Sequence, residues 1–178
     1  MKERSRASKR VKNDVAARNG FVYPPTESVG HQVRWAHRAL QRELEEKLRP
    51  YGITTGMWHF LRALWEEDGL SQRELSDRVG TTEPTTVSAL HAMEKRGLAV
   101  RVPNATDRRK SNIFLTRPAK ELHDLLLREA RDVNRIATAG VEAVEIRALK
   151  STLEKIRKNL ATATAARQAG AKRDPKSG

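Results

Sequence analysis

Asp107-Arg108-Arg109-Lys110 sets three consecutive cations behind one carboxylate, between two β-prone runs, Leu98-Ala99-Val100-Arg101-Val102 and Ile113-Phe114-Leu115. The chemistry open to such a hairpin tip is electrostatic. Guanidinium and ammonium groups attract phosphate. Upstream, Thr82, Thr85, Thr86, Ser88, His91 and Lys95 recur along one stretch. Thr and Ser hydroxyls bond to several base edges and to phosphate, so they discriminate weakly between bases. Ser71, Gln72 and Arg73 open another segment and suit phosphate contact at a helix start.

These residues need elements to hold them. Ser71-Gln72-Arg73-Glu74 has the form of a capping box, with a Ser hydroxyl for the N3 amide and a Glu reaching back to the Ser amide. Leu75 and Val79 follow a turn apart, and Gly80 closes the helix. Thr81-Thr82-Glu83-Pro84 favours a new helix start. Apolar Val87, Leu90 and Met93 then point a second helix inward as far as Gly97, with a one-residue ambiguity between Thr86 and Val87. Helix, turn, helix, strand, tip and strand in that order, over 71–116, is a winged helix-turn-helix, an arrangement that usually sets its second helix in a DNA groove.

Charge agrees with that reading. The 178 residues carry a formal net charge of +13, of which residues 1–18 supply +5 and residues 161–178 supply +3. Residues 71–120 hold ten Lys/Arg against five acids, which accounts for the whole remaining excess. With no Cys, thiolate metal sites and disulfides are excluded. No apolar run reaches membrane-span length and no signal-peptide core is present, so a soluble cytoplasmic protein without membrane partners is expected. No His-Glu-x-x-His, Gly-x-Ser-x-Gly or phosphate-loop pattern occurs, which argues against an enzyme and against a cofactor.

Around the motif, residues 1–19 read as a basic disordered tail, and Phe21-Val22-Tyr23-Pro24-Pro25 as an extended arm. A first helix over about 26–49 carries Val29, Val33, Ala36, Leu40, Leu44 and Leu48, with Pro50 and Gly52 stopping it. A second, from Thr54 to Gly69, has Met57, Leu61 and Leu64 on one face; Trp58 and Trp65, seven apart, read as core or interface. Helices over about 117–139 and 142–160 follow, the last with Ile146, Leu149, Leu153, Ile156 and Leu160 at coiled-coil spacing. One small winged lobe cannot bury all these stripes, so the terminal helices are expected to pack against a second copy. Residues 161–178 read as a flexible tail. The fold class is therefore mainly α with a small β-wing: a winged lobe in a domain spanning 20–160, with N- and C-terminal dimerisation helices.

The chain resembles the MarR family of bacterial transcription regulators. The resemblance rests on Ile53-Thr54, on Leu70-Ser71-Gln72-Arg73-Glu74-Leu75, on Met93-Glu94-Lys95-Arg96-Gly97-Leu98, and on Asp107-Arg108-Arg109 followed by Ile113-Phe114-Leu115-Thr116. It implies a homodimeric repressor on a pseudo-palindromic operator in double-stranded DNA. Arg109 would enter the minor groove and Asp107 would hold its guanidinium. Many relatives carry an Arg near Ser88 or Ala89 that is missing here, which shifts specificity toward DNA shape and the wing. The resemblance also implies release by a small aromatic or phenolic acid, or its acyl-CoA thioester, in a crevice lined by His31, Arg34, Trp35, Arg38, Met57, Trp58 and His59. The competing readings are a protein that coats DNA without regard to sequence and a winged helix used only for protein contacts.

Overall fold

The computed structural model describes residues 24–104, 106 and 111–173. The basic tail over 1–19, the Phe21-Val22-Tyr23 arm and the wing-tip residues Asp107 to Lys110 lie outside the described residues. The chain divides into two units, 1–133 and 134–178.

In the first unit, a 3-10 turn over Pro25–Glu27 precedes α1, Val29–Leu48, whose start is capped by the Ser28 hydroxyl accepting from the His31 amide at 3.3 Å. Of the six stripe residues, Leu48 is fully buried, whereas Val29, Val33 and Leu40 are exposed. Lys47 near the end of α1 bonds the Asp132 carboxylate at 2.6 Å, tying this helix to the later part of the unit. Gly52, at φ 64, turns the chain into α2, Thr55–Glu66, capped by the Thr54 hydroxyl. This helix stops at Glu66 rather than at the expected Gly69. The reason is tertiary: Asp68 leaves the helix so that its carboxylate can accept from the Leu115 amide at 2.8 Å and the Gly69 amide at 3.2 Å while pairing with Lys120.

The winged segment follows the expected order. β1 (Leu70–Ser71), α3 (Gln72–Val79), α4 (Glu83–Lys95), β2 (Ala99–Pro103) and β3 (Ser111–Leu115) form it, with the sheet ordered β1-β3-β2 and antiparallel throughout. Both halves of the capping box are made: Glu74 N to Ser71 Oγ at 3.3 Å and Ser71 N to Glu74 Oε2 at 2.7 Å. β1 escapes a propensity reading because its two residues also serve as the start of α3. Gly69 beside it is at φ 80, and a Cβ there would lie 2.6 Å from the Phe114 ring, so the position is closed to other residues by both backbone and space. Leu61, Leu64, Leu75, Leu90, Met93, Ile113 and Leu126 form the fully buried centre of the lobe.

Burial in α4 settles the ambiguity in its rotation. Thr86, Leu90 and Met93 are fully buried, while Val87 is 44% exposed, so the expected inward position of Val87 is corrected by one residue. A hydroxyl wins over an isopropyl group because it has a partner: Thr86 Oγ1 lies 2.7 Å from Ser76 Oγ on α3. Ser76 also donates to the Gln72 carbonyl, and Thr86 reaches that of Thr82 at 3.2 Å. Two hydroxyl protons thus serve three contacts, and the buried polar atoms are all satisfied among the described residues.

α5 (Arg117–Glu121) and α6 (His123–Ala137) replace the single helix expected over 117–139, the break falling at Leu122. In the second unit, Gly140 at φ 77 precedes α7, Ala143–Arg173. The expected flexible tail from Ala161 is corrected here: the helix runs on for more than three further turns. The run Ala161-Thr162-Ala163-Thr164-Ala165-Ala166 keeps it going, since Ala is the strongest helix former and needs no packing partner to remain helical.

Thr86→Val should cost about 1 kcal/mol in urea unfolding, the net worth of one hydrogen bond. Combined with Ser76→Ala, the loss should be smaller than the sum of the two single losses, because both remove the same contact. Gly69→Ala should destabilise by more than ~1 kcal/mol in the same assay.

Candidate nucleic-acid interface

Around the helix axis, Thr86, Leu90 and Met93 fix the inward side of α4, which leaves Thr85, Ser88, His91 and Lys95 exposed. These four stand where the sequence reading put them. Thr86 does not: it is corrected from a DNA-facing candidate to a buried link between α3 and α4. Thr82, the N-cap, is exposed, but its hydroxyl pairs with that of Thr85 at 2.9 Å and makes no cap bond to the helix backbone. Ser88 Oγ donates back to the Pro84 carbonyl at 3.1 Å.

At the start of α3, Arg73 is exposed, whereas Ser71 and Gln72 are half-buried and engaged. Ser71 caps the helix. Gln72 Oε1 accepts from Arg101 Nη1 at 3.2 Å, and Arg101 Nε reaches Glu94 Oε1 at 2.6 Å. Arg101 on β2 therefore clasps the start of α3 and the end of α4 to the wing. Sequence reasoning passed over this residue because it sits among valines in a strand, and its partners are 7 and 29 positions away. The wing base is wired further by Asn112, which donates to the Gly69 carbonyl at 2.7 Å and accepts from Asn104 at 2.9 Å. Asp107, Arg108, Arg109 and Lys110, at the tip that follows this base, lie outside the described residues.

The seven residues expected to line an effector crevice separate into two groups. His31, Arg34, Trp35 and Arg38 lie on α1, where Trp35 is 54% exposed and its ring is 5.8 Å from that of His31. Met57 and Trp58 are corrected to core: both are buried, and Trp58 meets Trp65 edge-on at 5.9 Å. Trp65 in turn donates its indole N–H to the Ala119 carbonyl at 3.1 Å. The helix α2 is apolar on two sides, so both tryptophans are used in packing it. His59 is exposed and sits 3.4 Å from the Gln41 amide nitrogen, which also lies 3.4 Å from His37. It also lines a cavity of about 180 Å³ with Arg62, Ala63, Glu66, Arg78 and Val79.

Residues 51–110 match the family model described as MarR family. The crystal structure of a MarR transcriptional regulator from Methanosarcina mazei Go1 superposes with a TM-score of 0.70 at 28% identity, covering 75% of this chain and 96% of that one. YybA of Bacillus subtilis, an uncharacterized HTH-type transcriptional regulator, is 24% identical over 69% of this chain and 82% of its own length. The chain is thus similar to the MarR family in its winged segment and in its fold. BpsR of Bordetella bronchiseptica, whose DNA binding is regulated by 6-hydroxynicotinic acid, shares the fold at a TM-score of 0.72 and 20% identity over 77% of this chain and 98% of its own.

His59 also carries a pH signature. Partial desolvation of the ring first, then the Arg62 and His37 charges, hold its imidazole below the ordinary histidine value. The unfolded chain therefore takes up this proton before the folded one does as pH falls through about 6.5. The stability concerned is present above that pH and lost below it. Between pH 7.5 and 5.5 the urea midpoint should accordingly fall less in His59→Gln than in the parent protein.

Proposed function

We propose that the chain is a DNA-binding transcription regulator that acts as a homodimer and represses from a pseudo-palindromic operator. The observation that carries this reading is the α4 face: four polar residues held outward by a buried threonine on the opposite side, beside a sheet whose base is fixed by side-chain hydrogen bonds. α4 lies in the major groove, the wing follows the backbone into the minor groove, and Arg109 supplies the wing's charge. Arg73 and Lys95 contact phosphates and set position without reading sequence. Half-sites in such a dimer stand about 10 bp apart, one turn of the duplex.

Exposed apolar surface supports the dimer. Val29, Val33 and Leu40 on α1 are open to solvent in the first unit, as are Val144, Leu149 and Leu160 on α7 in the second. A second copy covers them at a gain of roughly 25 cal/mol per Å² of apolar surface. We further propose that an aromatic acid is the effector. Its ring meets Trp35 and His31, and its carboxylate meets Arg34 or Arg38; ligand control of DNA binding in BpsR supports this reading. Met57 and Trp58 take no direct part, being buried.

Binding to the promoter region beside its own gene, against scrambled DNA of equal length in roughly physiological salt, tests the regulator reading. A preference of ~10³ or more is expected; equal binding to both would favour the DNA-coating alternative. Arg109→Ala should weaken operator binding by on the order of 1 to 3 kcal/mol. Lys95→Ala should instead weaken all sequences alike and reduce the salt slope by about 1.

A further inference from the structure

We propose that Val87 reads the C5-methyl group of a thymine in the major groove, so that the first half of α4 recognises its operator by apolar contact more than by hydrogen bonding. This inference rests on the DNA-binding reading of the same helix.

Val87 is 44% exposed in the middle of α4, with Thr86 beside it fully buried. At 100° per residue it lies on the same side as Pro84 and His91, three positions before and four after. Its exposure is not a failure of packing, because the place it would fill in the core is held by the hydroxyl pair with Ser76. The polar neighbours on this half of the helix have largely spent their donors. Thr82 and Thr85 share one hydroxyl proton between them, and Ser88 gives its own to the Pro84 carbonyl. Three hydroxyls therefore leave one free proton for a base edge. Nor does the exposed side of α4 carry an Arg, Asn or Gln that could make a bidentate contact to guanine or adenine. What remains on offer is a pair of exposed valine methyl groups, and thymine is the base that presents a methyl group to the major groove.

The test uses the full chain and the duplex that it enriches from a randomised-sequence DNA library. Each thymine of that duplex is replaced in turn by uracil, which removes the C5-methyl group and nothing else, and affinity is measured by fluorescence anisotropy. For the parent protein, one thymine per half-site should show a loss of about fourfold, the worth of one buried methyl group. In Val87→Ala the same replacement should change affinity by less than about twofold, while Lys95→Ala should keep the full uracil penalty. As Val87 is exposed, the melting temperature of Val87→Ala should match the parent's, which separates lost contact from lost fold. A uracil penalty of equal size in Val87→Ala, or no uracil penalty at any position, would overturn the inference while leaving the regulator reading intact. Failure to enrich any duplex would overturn the regulator reading and this inference together.

Discussion

The contact on which the winged lobe depends is the hydroxyl pair between Ser76 and Thr86, 2.7 Å apart and sealed in the core. Helix α4 has a weakly amphipathic sequence, so its apolar residues alone do not define which way it faces. A buried polar group that loses a partner costs ~1–3 kcal/mol, and turning the helix by one residue would take the Thr86 hydroxyl away from Ser76 and set the Val87 isopropyl group in its place. The pair therefore sets the rotation of α4 and, through it, the identity of each residue turned toward solvent. Specifying the register takes a polar contact where apolar contacts are interchangeable.

A second set of interactions carries that register into the wing. Asp68 accepts from two backbone amides and pairs with Lys120; Asn112 bridges Gly69 and Asn104; Arg101 ties Glu94 to Gln72. Each of these side chains is at or near the start, end or edge of an element, where backbone groups lack regular partners. The wing and the helix pair are thus coupled by a small set of directional bonds in addition to the apolar core they share, in which Leu98, Ala99, Ile113 and Leu115 are buried.

The flanking helices follow different physics. Along α1 the expected stripe is real as a pattern, yet Val29, Val33 and Leu40 face water in the single chain. Periodicity reports that a helix has an apolar side and leaves open what covers it. α7 illustrates the converse: its last turns carry little apolar surface to pack, and alanine propensity sustains them. The tryptophans of α2 show why composition misleads about pockets. An aromatic ring is both the best wall for an aromatic ligand and the largest unit of core packing, and Trp58 is used for the latter.

Local signals were legible wherever both partners lie within four residues. The capping box at Ser71 and Glu74, the start at Thr54, the stops at Gly52 and Gly80, and the order helix, helix, strand, strand all belong to that class. So did the exposed quartet Thr85, Ser88, His91 and Lys95, because i, i+3 and i+4 spacing is a property of the helix itself. The sequence by itself thus determined the order helix, helix, strand, strand, the starts of α2, α3 and α4, and the type of lobe. Only the tertiary structure decided that Thr86 turns in and Val87 out, that Gln72 serves Arg101, that α2 ends early for Asp68, and that Trp58 belongs to the core. In each case the deciding partner is at least ten residues away or is a change in burial, and neither has any periodic trace in the chain.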